Sequence, residues 1–389
     1  MFDRPQPDLY FSQDHLAFRA VLRSFVDREI TPNIAAWEDA GRLPRSLYKK
    51  AGDLGVMGAL YPEEVGGIGG DMFFHVVVSE EISRCGAGGV AASLGSHSIG
   101  TPPLVKLGSD ALKQQYAVPV IAGDMISALA VTEPGGGSDV AALRTRAVRD
   151  GDHYVISGEK TFITSGMQAD VFTVAVRTDP DQKGAGGISF ILVPGDTPGL
   201  SRTPLAKMGW LASDTAHLVF DQCRVPVDNV IGAEGEGFKA AMMNFNNERL
   251  TIAIQAYSMA EVCYREALEW AQQRHAFGGP ISQQQVIRHK LVDMAARIDA
   301  ARSLTYDIIW RYQNKMDPLN VHVARTSMAK VTATNAMKFC ADEAVQILGG
   351  MGFMRGTASE RIYREVKVLT IGGGTDEVMK NLAASQLGI

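Results

Sequence analysis

Between about Met125 and Gly235 the apolar residues of this chain change their spacing, and that change restricts the fold more than any single motif. The runs there are short and β-rich: ISALAVT, LRTRAVRD, HYVISGEKTFIT, DVFTVAVRT, GISFILVP and TAHLVFDQCRVP, separated by Gly, Asp and Pro. Strands at this spacing predict an antiparallel barrel or sandwich. On both sides the apolar positions recur with a helical period. Ser12 followed by QDHLAFRAVLRSFVDREI predicts a capped amphipathic helix with Leu16, Val21, Phe25 and Ile30 near one face. Pro32, Pro44, Pro62 and Pro102 punctuate this region. EEVGGIGGD reads as a loop and not as a dinucleotide fingerprint, because no strand precedes it and its glycine spacing is wrong. Further on, Phe238 to about Phe277, Ile281 to Lys315 and Leu319 to Leu348 predict three long antiparallel helices, stopped near Pro318 and at Gly349–Gly350, which make a bundle. The expected fold class is mainly α with a central β-domain: an N-terminal helical domain over 1–124, a β-barrel or sandwich over 125–235 and a C-terminal helical bundle over 236–389.

Composition narrows the function classes. With 46% hydrophobic and 21% charged residues in 389, the chain is expected to form packed cores and not a disordered polymer. A net charge of −5 argues against nonspecific nucleic-acid binding. Cys85, Cys223, Cys263 and Cys340 lie far apart with no C-x-x-C pair, which suggests neither a metal site nor a disulfide scaffold and fits a reducing, cytoplasmic compartment. The N-terminal MFDRPQPDLYF carries Asp3 and Asp8 and no long apolar run, so no signal or transit peptide is expected. No apolar stretch is long enough for a membrane span.

Several segments carry groups suited to a ligand. AVTEPGGGSD, Ala130 to Asp139, lies at a predicted strand end; its glycines let backbone approach a ligand closely, and Thr132 and Ser138 add hydroxyls. Alone it reads equally as a polar β-turn. KTFITSG, Lys160 to Gly166, offers Phe162 for stacking on a planar ring and Thr164 for bonding its edge, although alone it reads as an ordinary strand. RHAFGGPISQQQ joins two predicted helices; Arg274 suits a phosphate and Gln284 and Gln285 a polar nucleotide edge, a solvated loop being the plainer reading. QILGGMGF, Gln346 to Phe353, ends a helix with paired glycines, as a C-cap does. Thr375-Asp376-Glu377 reads as a helix N-cap, a place that also suits a pyrophosphate.

Taken in this order and with this domain pattern, PEEVGGIGGD, AVTEPGGGSD, EKTFITSG, MGWLASDTAHLVFDQCRVP, GEGF, RHAFGGPISQQQ, QILGGMGF and GGGTDEV resemble the acyl-CoA dehydrogenase family over nearly the full chain. The resemblance implies a helical domain, a β-domain and a C-terminal four-helix domain, assembled as a homotetramer with one FAD per subunit. It implies that the segment from Leu129, Ala130 and Val131 through Gly137 to Ser138 lines the flavin, with Thr132 on the pyrimidine side, and that Phe162, Ile163 and Thr164 lie near the ring and its N5. Many members have tryptophan where this chain has Phe162. Ser138 would also lie near the acyl-CoA. Arg274 and Phe277, with Gln284 and Gln285, would reach the FAD of a neighbouring subunit, as would Gln346, Gly349 and Gly350; Thr375 and Glu377 would hold the adenosine-pyrophosphate end of FAD.

The family reaction removes an α-proton and a β-hydride from an acyl-CoA thioester and yields a trans-2-enoyl-CoA, with flavin N5 accepting the hydride. Many members carry the catalytic glutamate at the position of Gly373, the middle glycine of VLTIGGGTDEVMK, and here there is no side chain. The backbone N–H of Gly373, which in the family faces the thioester oxygen, survives that loss. In MNFNNERLTIA, Glu248 followed by Arg249 resembles the long-chain and isovaleryl-CoA branch, which places the base on this helix and a small residue at the other position. The resemblance therefore assigns Glu248 as the base, gives Arg249 a supporting role toward CoA or the carboxylate, and points to long or branched acyl chains, a citronellyl-type thioester among them. A solvated carboxylate is the plainer reading of Glu248 without the family. An electron-transfer flavoprotein is the implied acceptor. An acyl-CoA oxidase, or a flavin-retaining acyl-CoA-binding protein without activity, are the alternatives.

Overall fold

The computed structural model describes residues 2–182 and 184–389, without the side chains of residues 240–243. The chain forms two compact units. One comprises Met1–Ala36, Asp71–Ala91 and Asn246–Ile389; the other comprises Trp37–Gly70 and Ala92–Phe245.

The first unit is helical. Its opening helix, Gln13–Phe25, starts where the sequence places it. The Ser12 side chain accepts from the His15 amide and His15 reaches back to the Ser12 amide, satisfying two donors that the first turn cannot. The buried face is His15, Leu22 and Phe25, with Ile30 buried just beyond. Val21 does not belong to it: the residue is 48% exposed, because each helical step turns about 100° and Leu22 takes the inward position. The long Gly237–Gln273 helix, mostly in this unit, is followed by Gln285–Gln313, Leu319–Leu348, Ala358–Ile371 and Asp376–Leu387. Leu319–Leu348 packs against the other three of these four. Its buried face is rich in small residues, Ala329, Ala333, Ala336, Ala341 and Ala344, which let neighbouring backbones approach.

The second unit carries the sheet: β1 Ser127–Ala130, β2 Arg146–Asp150, β3 His153–Thr164, β4 Val171–Arg177, β5 Ile188–Pro194, β6 Leu200–Pro204, β7 Thr215–Pro226 and β8 Val230–Ile231. Neighbours run β6-β7-β3-β2-β4-β5-β8, with β1 also on β4. The sequence predicts antiparallel strands, but two ladders are parallel: β1 pairs with Val171 to Val174 of β4, and β2 meets the same strand at Arg177. A strand's periodicity reports which face is buried, not which distant strand lies beside it. β4 and β5 are buried almost throughout, so both read as continuous apolar runs. Phe190, Ile188 and Leu192 of β5 pack with Leu104, Tyr116 and Val120 from the unit's helical segments. Leu104 lies in the His97–Leu107 helix, which continues through Pro102 and Pro103 where the sequence suggests a break.

Candidate active site

In the first unit the pairing of positions 248 and 373 has a geometric basis. Gly373 lies between the Ala358–Ile371 and Asp376–Leu387 helices at φ 66°, a left-handed conformation that glycine adopts at little cost. A Cβ built on Gly373 would fall 3.8 Å from Glu248 Oε1 and 2.6 Å from Ile252 Cδ1. Glu248 and Ile252 are one helical turn apart on Gly237–Gln273, so both face the turn from the same side of that helix. The carboxylate of 248 thus lies beside the space into which a side chain at 373 would project.

Glu248 sits in a desolvated setting. Burial raises its carboxyl to about 7, only partly offset by the Arg249 and Lys330 charges. No hydrogen bond reaches its carboxylate from the described residues. A carboxyl that titrates near neutrality is suited to taking a proton. Arg249, buried and adjacent in sequence, directs its Nε to Gly373 O at 3.2 Å and an Nη to Asn246 Oδ1 at 3.1 Å. Three residues beyond Glu248, Thr251 donates to Asn247 O at 2.9 Å and lies 2.7 Å from His75 Nε2. Burial pushes His75 down to about 4, so the ring is neutral; with the Thr251 hydroxyl proton given to Asn247 O, the tautomer that completes the pair carries its proton on Nε2 and donates to Thr251 Oγ1.

The other proposed site residues of this unit lie at its surface. Phe277 and Gly278, at φ 54° and 87°, form the two-residue turn of a small hairpin between His275–Ala276 and Gly279–Pro280. Phe277 is 93% exposed, Arg274 and Gln285 are exposed, and Gln284 is the half-buried residue before the Gln285–Gln313 helix. Gln346, Gly349 and Gly350 are exposed, and a Cβ on either glycine would meet open space. Thr375 caps the last helix by accepting from the Val378 amide at 3.3 Å. Asp376 and Glu377 already place two carboxylates in that first turn, so an exposed Glu377 suits a ribose hydroxyl better than a phosphate.

In the second unit, Leu129 and Ala130 end β1 and Val131 is buried next to them. A tight turn from Glu133 to Gly136 follows, and Cβ atoms on Gly135, Gly136 or Gly137 would meet nothing closer than 3.7 Å. The turn is anchored to β3 by a group the sequence reading passed over. Lys160, fully buried, donates to Val131 O and Glu133 Oε1, both at 2.9 Å, while Thr161 N donates to Thr132 O. Burial lowers Lys160 to about 8 against the pull of Glu133. Two residues later β3 bulges: Phe162 adopts φ 60° and stands 70% exposed, Ile163 is buried and Thr164 is half-buried. A bulky residue held left-handed with its ring in solvent is uncommon. An exposed aromatic ring and open glycine backbone fit the flat face and polar edge of a flavin. Ser138 is exposed at the end of the turn. The signal available for Lys160 was a glutamate, Glu133, in the preceding motif.

Among the described residues there is no group of three or more His, Cys, Asp or Glu that could hold a metal, and no helix is long and apolar enough to cross a membrane.

The chain matches the acyl-CoA dehydrogenase N-terminal domain over residues 12–124, the middle domain over 128–223 and the C-terminal domain over 235–388. It is 38% identical over 377 residues to a short-chain specific mitochondrial acyl-CoA dehydrogenase of Rattus norvegicus, covering 96% of this chain and 90% of that protein. It is 38% identical to an acyl-CoA dehydrogenase of Bacillus subtilis over 381 residues, 97% and 99% of the two chains. A crystal structure of a probable acyl-CoA dehydrogenase from Mycobacterium abscessus superimposes with a TM-score of 0.94 at 47% identity, covering 97% of this chain and 100% of that one. The chain belongs to the acyl-CoA dehydrogenase family. It is accordingly an FAD-dependent oxidoreductase that dehydrogenates acyl-CoA thioesters.

Proposed function

We propose that Glu248 is the base that removes the α-proton of the thioester, and that the acyl group is long or branched near the reacting carbons. The observation that carries this reading is the 3.8 Å between Glu248 Oε1 and the position a Cβ would take on Gly373. The similarity to a short-chain enzyme concerns the chain as a whole; the 248–373 pair concerns the reacting carbons and so bears more directly on substrate choice. In this reading the α-proton passes to the Glu248 carboxylate, and the electrons of that C–H bond form the new double bond as the β-hydride departs. Bound FAD supplies the acceptor for that hydride at N5. The Gly373 N–H stabilises the charge that develops on the thioester oxygen, and Arg249 holds the Gly373 carbonyl.

The FAD would be held by Leu129, Ala130, Val131, Thr132, Gly137, Ser138, Phe162, Ile163 and Thr164. Arg274, Phe277, Gln284, Gln285, Gln346, Gly349 and Gly350 would serve the FAD of a neighbouring copy in a homotetramer, and Thr375 and Glu377 would hold the adenosine-pyrophosphate end of FAD. The proposed acceptor of the electrons is an electron-transfer flavoprotein, and the proposed compartment is the cytoplasm.

The test is anaerobic mixing of the yellow protein with acyl-CoAs of graded length and branching. The visible flavin band should bleach fastest with long or branched chains in the wild type and hardly at all in Glu248→Gln. Equal bleaching in the variant would overturn the assignment of the base. A clear preference for short straight chains would overturn the substrate class. Rapid recolouring in air would identify an oxidase.

A further inference from the structure

The turn that carries Gly373 has little to hold itself in place. Gly373 and Gly374 sit at φ 66° and 108°, and glycine loses more backbone freedom on ordering than any other residue. Two buried cations from different helices grip successive carbonyls of this turn. Arg249 Nε donates to Gly373 O at 3.2 Å, and Lys330 Nζ, from Leu319–Leu348, donates to Gly374 O at 2.8 Å. Hydrogen bonds from charged donors are about twice as strong as neutral ones.

Lys330 is fully buried, which is rare for a lysine without a close partner. Its carboxylate neighbour, Asp376 Oδ1, is 3.8 Å away and is itself buried without a hydrogen bond. The short contact of this ammonium is therefore to the backbone of the turn. We infer that Lys330 is a positioning residue for proton abstraction: it fixes the Gly373–Gly374 turn opposite Glu248 and keeps a positive charge beside the carboxylate. This rests on the reading of Glu248 as the base. The charged groups around the carboxylate are Arg249 on its own helix and Lys330 across from it; those around Lys330 are Arg249, Asp376 and Glu377.

Removing a neighbouring cation favours the neutral carboxyl, so the titration of Glu248 must move up. The experiment compares wild type, Lys330→Met and Lys330→Arg as holoenzymes. Carbon-13 titration follows the Glu248 carboxyl, assigned by its loss in Glu248→Gln, and is set beside the pH profile of kcat/KM and deuterium exchange of the amides in residues 372–375. In Lys330→Met the carboxyl and the acid limb of the profile should both rise by about half a pH unit or more, with faster amide exchange in the turn. Lys330→Arg should restore the titration. If Lys330→Met does not fold, Lys330→Gln, which keeps a donor to Gly374 O but not the charge, should show the upward shift without the faster exchange. An unmoved carboxyl in every folded variant overturns the inference. If Glu248→Gln itself keeps the acid limb, the assignment of the base has failed instead, and the two failures are thereby distinguished.

Discussion

Two glutamates with desolvated carboxylates in the first unit, Glu80 buried and Glu248 half-buried, show what separates a structural carboxylate from a reactive one. Glu80, on the Met72–Ser83 helix, is almost fully buried, and so is Glu81 next to it. Tyr257 and Tyr306 both donate to Glu80 Oε1, and Arg19 pairs with its other oxygen at 2.7 Å. Burial pushes the Glu80 carboxyl up, but Arg19, Arg302 and the two phenols outweigh it, and the net direction is down. Glu248 is desolvated in the same unit yet receives only the more distant charges of Arg249 and Lys330, and burial wins. One carboxylate has its lone pairs filled and stays ionised. The other is left with lone pairs able to accept a proton. Burial alone does not make a base; burial without hydrogen-bond donors does.

The comparison can be broken in several ways. The largest effect is expected from Glu248→Gln, which should lower the rate of flavin reduction by about 10²–10⁴-fold or more without lowering the thermal midpoint. Glu80→Ala should do the reverse. It leaves Arg19 and Arg302 in a desolvated site with less counter-charge, a change that costs about 3–5 kcal/mol when a buried pair is broken, read from the urea midpoint. Folded Glu80→Ala should retain the acid limb of the wild-type pH profile.

Stability should depend on pH with opposite sign at the two residues. The folded value of Glu248, about 7, lies above the ordinary 4.5, so its contribution is complete below 4.5 and is lost as pH rises through 7. A shift of that size corresponds to a few kcal/mol at about 1.4 kcal/mol per unit, and Glu248→Gln should flatten the urea-midpoint profile between those limits. Glu80 is depressed, so its contribution is present above 4.5 and lost as pH falls through its folded value. Glu80→Gln should flatten the acid side of the same profile. The smallest effect is expected at Gly373→Ala. The left-handed backbone costs a residue with a Cβ about 1–2 kcal/mol, and Ile252 must swing aside. Adding Ile252→Val should recover only the second part. Full recovery, or no loss at all, would show that the turn does not hold the shape described here.

Local chemistry was legible in the sequence; distant chemistry was legible only through family likeness. Ser12 announces a helix start because the cap and its partner lie three residues apart. Thr375 does so for the same reason. The change of period at Met125 gives away the sheet, but the partners of β4 lie across the chain, and so the parallel ladders went unread. β6, with the sequence LSRTP, was missed because it is short and mostly unburied. The 248–373 pair is 125 positions apart in sequence and became visible only because a family resemblance set the two side by side. Lys330 and Lys160 were passed over because a lysine reads as solvated. The clue at Lys330 was the company it keeps: Thr326, Ala329, Ala333, Thr334 and Met337, all buried on one helix face.

The most direct measurement leaves hydride transfer out. An acyl-CoA with sulphur in place of the β-carbon offers no β-hydride, yet its α-protons can still exchange with deuterated solvent on the holoenzyme. The account predicts rapid exchange in the wild type and in folded Glu80→Ala, and exchange close to the uncatalysed rate in Glu248→Gln. Undiminished exchange in Glu248→Gln would contradict it, because the proton would then be leaving to some other group.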